Sequence, residues 1–368
     1  MTLKIISADS HICEVDATYK EIDPKFKDRA PYSINSDQVG AAMVLEGQEK
    51  PVALGIVCAA GFQAEDIAKP RSWEELHQGG WDPTVRLADQ DKDGVSAEVL
   101  YPSVGMLICN NKDIDFKKAC FDAYNRWLAE YCSHAPDRLI GLGQITVRTI
   151  EEGIKEMEEA KNLGFRGVMM SGNPHIEDYD HTCYDPLWEA SVAMDMPIHF
   201  HILTDKSSNL SAKLRGPKIC NFLHIIRGNQ DIMAMMVFSG VFERFPKLKV
   251  VCAEADAGWL PHFLYRMDHA YDRHRFWLGN GIPRFPSEYF KENIYLTFQD
   301  DYVAGNMHEL GEKYCNMDRL MWASDFPHSD ATWPDSQKVI AEMTANMSPA
   351  HKQALLHDNA ADLYKIAI

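Results

Sequence analysis

The feature that most constrains this chain is an alternation. Short apolar runs recur along it, and a helical pattern follows nearly every one. The runs are "LKIISAD" (3–9), "SAEVLYPS" (96–103), "LIGLGQITV" (139–147), "FRGVMMSG" (165–172), "MPIHFHIL" (196–203), "LKVVCAEA" (248–255), "NIYLTFQ" (293–299) and "RLMWASDFPH" (319–328). Between them lie stretches with helix punctuation. Asp82 is placed as an N-cap with Pro83 in the first turn, and Gly164 closes an amphipathic segment over 150–163. Further helical stretches cover 114–135, about 186–194, 218–245, the region from Trp259 past Arg273, and 349–366. Strands that alternate with helices build a parallel sheet, and eight such units point to a (β/α)8 barrel, the TIM-barrel form of α/β architecture. A doubly wound open sheet competes, but no GxGxxG follows the first strand to support its dinucleotide-binding version. Residues 20–80 are irregular and rich in Gly, Pro and turn formers, which predicts an insertion between the first strand and its helix; "PVALGIVCAAG" (51–61) within it reads as a small hairpin or a loop with one strand. The whole chain, 1–368, is expected to be one barrel domain carrying that insertion.

Charge narrows the partners. With 37 basic and 54 acidic residues the net charge is −17. Nucleic acid and anionic membrane both need clustered Lys and Arg, so neither is expected as a partner. The nine cysteines are irregularly spaced and include no CxxC, which predicts reduced thiols in a cytoplasmic protein. Neither a secretion signal nor a membrane span is expected. The expected partner is a small molecule, with a homodimer as the assembly.

The active site of a barrel lies at the C-terminal ends of its strands, and several strands here end in residues that bind metals. The first ends in Asp9 and His11, which share a strand face by period two. The fifth carries His199 and His201, the sixth ends in Glu254 with Asp256 two residues on, and the eighth ends in Asp325 with His328 three residues on. A carboxylate at the end of a buried strand is costly unless paired or metal-bound. Convergence of four such ends predicts one divalent metal, zinc first, with manganese or iron also compatible with mixed imidazole and carboxylate ligands. His175, His181 and His224 are expected at the surface or in packing. Trp259, Trp322 and Trp333 are candidates for an aromatic wall, and Arg86 is expected to pair with an acid such as Asp89.

Several stretches together resemble the amidohydrolase-2 family of the amidohydrolase superfamily, the branch with aminocarboxymuconate semialdehyde decarboxylase and γ-resorcylate decarboxylase. They are "DSH" (9–11), "WDPTVRLADQDKDGV" (81–95), "GVFERFPKLKVV" (240–251), "ASDFPH" (323–328) and "NAADLYKI" (359–366). The resemblance implies a (β/α)8 barrel with a mononuclear metal. It places the first-strand ligands on Asp9 and His11. It selects His201, four residues after Pro197, over His199, and it puts the eighth-strand aspartate, a metal ligand or proton shuttle, on Asp325. Two departures stand out. Glu254 occupies the position where the decarboxylases carry a histidine, and "PVALGIVCAAG" lacks the substrate-binding arginine of the semialdehyde decarboxylase.

The expected function is therefore a metal-dependent lyase that decarboxylates a small aromatic or cyclic carboxylic acid without oxidation. Asp325 or Glu254 would deliver the proton, and His328 is a further catalytic candidate. The alternative is a metal-dependent hydrolase of an amide, lactone or ester in a small cyclic substrate, or a hydratase, using the same ligands.

Overall fold

Asp82 shows how the sequence punctuates this fold. Its carboxylate accepts hydrogen bonds from the N–H groups of Thr84 (2.8 Å) and Val85 (3.3 Å), Pro83 opens the helix Pro83–Asp93, and Gly94 ends it in a left-handed conformation (φ 72°). The chain then drops directly into a strand. The computed structural model describes residues 3–205, 216–279, 281–311 and 313–368, and that helix–strand unit repeats along them.

The barrel strands are β1 Ile5–His11, β2 Val95–Tyr101, β3 Leu139–Gly141 resuming at Gly143–Gln144, β4 Val168–Met170, β5 Ile198–His201, β6 Val250–Ala253, β7 Ile294–Phe298 and β8 Leu320–Trp322. Every neighbouring pair from β1 to β8 runs parallel. The ends of the series meet: the Asp325 N–H donates to the Asp9 carbonyl at 3.1 Å, and the His11 N–H donates to the Phe326 carbonyl at 2.7 Å. The architecture is the expected (β/α)8 barrel.

Period two sorts the strand residues between two cores. Ile198, Phe200, Val250, Cys252, Leu320 and Trp322 face the surrounding helices, while Ala97, Val99, Tyr101, Val251, Ala253 and Met321 fill the barrel. His199 lies beside Val251 and His201 beside Ala253, so both imidazoles point inward, one layer apart. Trp322 belongs to the helix-facing set and is fully buried, so it forms no wall at the mouth. The C-terminal helix Asn359–Tyr364 sends Leu363 and Tyr364 into the inner core, where the Tyr364 ring stacks on His199 at 5.7 Å.

The insertion holds a three-stranded antiparallel sheet, Tyr32–Ser36, Gly40–Val44 and Val52–Ala53, with a one-turn helix Leu54–Val57. It docks on the loops after β1 and β8: the Ala60 N–H donates to Pro327 (3.0 Å) and the Cys13 N–H to Gly80 (2.8 Å). All nine cysteines are free. Among the described residues no helix is long and apolar enough to cross a membrane.

Arg86 ties these parts together through the expected ion pair with an acid, and that acid is Glu98 and not Asp89. The guanidinium is fully buried and donates to Glu98 (2.5 Å), to the His11 carbonyl (2.6 Å) and to the Phe326 carbonyl (3.3 Å). Asp89 is near in sequence, but the inward face of the helix offers a buried carboxylate on β2 and the open carbonyls at the ends of two more strands. Arg86→Ala should destabilise the protein by about 3–5 kcal/mol, because Glu98 is left as an unpaired buried charge. Denaturant unfolding measures this, and a change within experimental error would contradict it.

Candidate metal centre

Between Ser7 and Ser10, β1 carries one extra residue against β2. Ser7 pairs with Glu98 and Ser10 with Leu100, so a bulge falls between them. Three buried hydroxyls stitch it: Ser7 Oγ lies 2.8 Å from Ser10 Oγ and 3.1 Å from Ser324 Oγ, with Ser10 and Ser324 at 3.0 Å. The bulge turns Asp9 and His11 toward the mouth together. The other two carboxylates are aimed by the backbone. Glu254 (φ 52°) and Asp325 (φ 57°) both adopt the left-handed region that non-glycine residues rarely occupy, just after β6 and β8.

The resulting cluster is tight. Donor atoms of Asp9, His11, His201 and Glu254 lie within 4.8 Å of one another, as do those of His11, Glu254, Asp325 and His328. His11 Nε2 stands 3.4 Å from Asp9 Oδ1, 3.2 Å from Glu254 Oε2 and 3.3 Å from Asp325 Oδ1, while His201 Nε2 stands 3.0 Å from Glu254 Oε2. The side chains of Asp9, His11, His201 and Asp325 are fully buried, whereas those of Glu254 and His328 keep 13% and 14% exposure and so mark the open side.

The donor set fits a cation. His11 Nδ1 lies 2.8 Å from the Pro102 carbonyl and His201 Nδ1 lies 3.0 Å from the Ile202 carbonyl, so each Nδ1–H is committed outward. Each Nε2 then turns toward carboxylate oxygens. Asp9 Oδ1, both Asp325 oxygens and His201 Nε2 are buried without a hydrogen-bond partner. Such an array needs protons or a metal between its members. Burial would lower the His201 pKa, but the Asp9 and Glu254 carboxylates raise it to about 9. Burial opposes the charge of His11 too, yet the neighbouring Asp325, Asp9 and Glu254 carboxylates lift its pKa well above the usual value. In return, His201 and His11 outweigh the effect of burial on Glu254 and hold its pKa well below the usual carboxylate range.

Metal uptake at neutral pH should therefore release about one to two protons per ion and weaken as the pH falls. In metal-free protein the sign of stability is opposite. The raised pKa of His201 contributes stability that is complete below its ordinary value of 6.5 and is lost as the pH rises through about 9. Calorimetry in buffers of different ionisation enthalpy reads the protons, and uptake without proton release would contradict this electrostatic picture.

Of the residues singled out in the sequence, Asp9, His11, His201, Glu254, Asp325 and His328 come together here. His199 does not: its Nδ1 lies 2.6 Å from the Tyr101 hydroxyl, and burial drops its pKa to about 3. Asp256 sits on the rim, where partial burial and Asp301, Asp300 and Asp330 push its pKa up to about 6. His181 accepts the Cys183 N–H at a helix start. Trp259 packs on Phe263 and Phe290, and Trp333 on His77 and Phe326. Thr297 went unread in the sequence. Its hydroxyl donates to Asp9 Oδ2 (2.8 Å) and accepts the Glu254 N–H (2.8 Å), orienting two carboxylates at once. A threonine on an inward position of "IYLTFQ" is the signal that marks it.

A buried ring of imidazoles and carboxylates at the C-terminal mouth of a (β/α)8 barrel defines a barrel enzyme of the metal-dependent class. The chain belongs to the amidohydrolase family, whose sequence profile matches residues 110–366. It is 26% identical over 271 residues to the γ-resorcylate decarboxylase of Polaromonas sp. (strain JS666), covering 66% of this chain and 75% of that protein. The crystal structure of an amidohydrolase from Mycobacterium avium subsp. paratuberculosis matches with a TM-score of 0.81 at 20% identity, over 99% of this chain and 100% of the other. A dihydroxybenzoic acid decarboxylase from Polaromonas sp. JS666, with bound manganese and the inhibitor 2-nitroresorcinol, matches with a TM-score of 0.65 at 18% identity, over 99% of this chain and 98% of the other.

Proposed function

We propose that this protein is a metal-dependent decarboxylase of a small aromatic carboxylic acid. The observation that carries the reading is the convergence of Asp9, His11, His201 and Glu254 into one tight cluster, joined through His11 and Glu254 to Asp325 and His328. Asp9, His11, His201 and Asp325 would hold one divalent metal. Zinc suits the two imidazoles, and the carboxylates suit manganese equally, the metal bound in the Polaromonas decarboxylase. Bound there, the ion would supply positive charge that favours an anionic substrate oxygen.

The remaining chemistry belongs to the side chains. Glu254, on the open side of the cluster with 13% of its side chain exposed, acts as the base that takes the proton of a ring hydroxyl and pushes electron density into the ring. His328 lies 2.9 Å from Asp325 Oδ1, and this pair delivers a proton to the ring carbon that bears the carboxylate. The bond from that carbon to the carboxylate then breaks, its electrons restore the aromatic ring, and CO2 leaves. The acidic rim of Asp256 and Asp330, both with pKa values pushed up to about 6, favours a substrate with one carboxylate over a polyanion. Turnover of γ-resorcylate in D2O should place one deuterium on the carbon that lost the carboxylate. Cleavage of lactones or amides without CO2 would instead support hydrolysis.

The assembly we propose is a cytoplasmic homodimer. Phe276, Trp277 and Leu278, consecutive at the end of the helix Leu260–Leu278, are 82%, 71% and 63% exposed, an apolar patch suited to a second copy. Light scattering at twice the 41.8 kDa chain mass supports this, and a monomer contradicts it.

A further inference from the structure

Ser103 follows β2 by two residues and lies beside the centre without reaching it. Its hydroxyl has two close partners, the Ile12 carbonyl at 2.6 Å and His328 Nε2 at 2.8 Å. A serine hydroxyl carries one hydrogen, and a carbonyl oxygen can only accept. The hydrogen therefore goes to Ile12, and the oxygen accepts from His328, whose Nε2 must carry a hydrogen. The other ring nitrogen, Nδ1, is then the one that faces Asp325 Oδ1 at 2.9 Å. Ser103 is itself held firmly. The fully buried Glu14 carboxylate accepts the N–H groups of Ser103 (3.3 Å), Val104 (2.8 Å) and Gly105 (2.7 Å), and only 5% of Ser103 is exposed. The His328 ring is also stacked on His11 at 3.9 Å.

We infer that Ser103 is a positioning residue that fixes which nitrogen of His328 faces Asp325. The inference rests on the proposed function only in assigning His328 a part in turnover. The line from Ser103 through His328 to Asp325 has the connectivity of a Ser-His-Asp triad, but a nucleophilic serine must hand its proton to the histidine. Here that hydrogen is directed to Ile12 and the oxygen is buried, so Ser103 orients the ring and attacks nothing. Without the serine oxygen the Nε2–H has no acceptor, and only the Asp325 contact and the stacking on His11 still hold the ring.

The test uses the full-length protein loaded with zinc, which leaves nuclear resonance spectra sharp. Long-range proton–nitrogen spectra of wild type should show His328 with a hydrogen-bonded Nε2–H. Ser103→Ala should lose that signal with zinc content unchanged, and Ser103→Thr, which keeps a hydroxyl, should restore it. With γ-resorcylate as substrate, Ser103→Ala should lower kcat by about 10–100-fold at constant KM, the range typical of residues that orient a site from behind. In a His328→Ala background the same substitution should cost nothing further. An unchanged His328 spectrum in Ser103→Ala, or an equal kcat loss with and without His328, overturns the inference. Wild-type turnover by His328→Ala alone overturns the catalytic role of His328, and the spectra still decide whether Ser103 sets its ring.

Discussion

An Asp9→Ala protein is expected to fold, to lose its metal and to show no measurable decarboxylation. Asp9 touches both histidines of the inner cluster and Thr297. Its Oδ1 faces His11 at 3.4 Å and His201 at 3.6 Å, and its Oδ2 accepts the Thr297 hydroxyl at 2.8 Å. Removing it takes away a buried anion and the carboxylate that does most to raise the His201 pKa. The loss in metal affinity should exceed the roughly 10–100-fold that outer residues of a metal site cost. The strand itself should persist, because the bulge at Ser7 and Ser10 is held by hydroxyls and not by the carboxylate. Mass spectrometry of metal content with circular dichroism separates the two effects. Full metal occupancy in this variant, and likewise in His201→Ala, would sink the ligand assignment.

Glu254→Gln should have the opposite signature, with metal kept and turnover lost. Glu254 closes the open side of the cluster and, unlike the four proposed ligands, is partly exposed. Glutamine preserves the shape and removes the ionised group that the two histidines sustain. The expected fall in kcat is about 10²–10⁴-fold, the range for a missing general base. Loss of metal from this variant would instead make Glu254 a ligand, since its Oε2 lies 3.0 Å from His201 Nε2 and 3.2 Å from His11 Nε2. Near wild-type turnover with metal in place would leave the Asp325–His328 pair as the only acid–base machinery.

The barrel was legible because each of its units is written locally. "DPTVRLADQDKDG" contains its own cap, proline and stop, and the residues of "PIHFHI" alternate as a buried strand does. The polar ends of β1, β5, β6 and β8 were legible for the same reason, since strand direction alone sends them to one mouth. What stayed hidden depends on groups far apart in the chain. The bulge in β1 is fixed by Ser324, 317 residues from Ser7. Arg86 passes over the nearby Asp89 for Glu98 and for carbonyls at the ends of β1 and β8, which only the closed barrel brings within reach. The left-handed backbone that turns Glu254 and Asp325 inward leaves no mark in "AEADAG" or "ASDFPH". In the insertion, Tyr32–Ser36 and Gly40–Val44 pair through a turn at 37–39 that Gly40 (φ 68°) closes, too short and too mixed in polarity to read as a hairpin. Ser103 gave no signal, because its importance comes from the hydrogen-bond direction set by Ile12 and His328.

The most direct test of the account is CO2 release measured against bound metal. Protein stripped by a chelator and reloaded with increasing manganese or zinc is given γ-resorcylate and related hydroxybenzoates. The predicted result is CO2 formation on at least one of them, in step with metal occupancy up to one ion per chain and absent from the stripped protein. CO2 formation unaffected by metal removal, or no CO2 from the fully loaded protein alongside hydrolysis of a lactone or amide, would contradict the account.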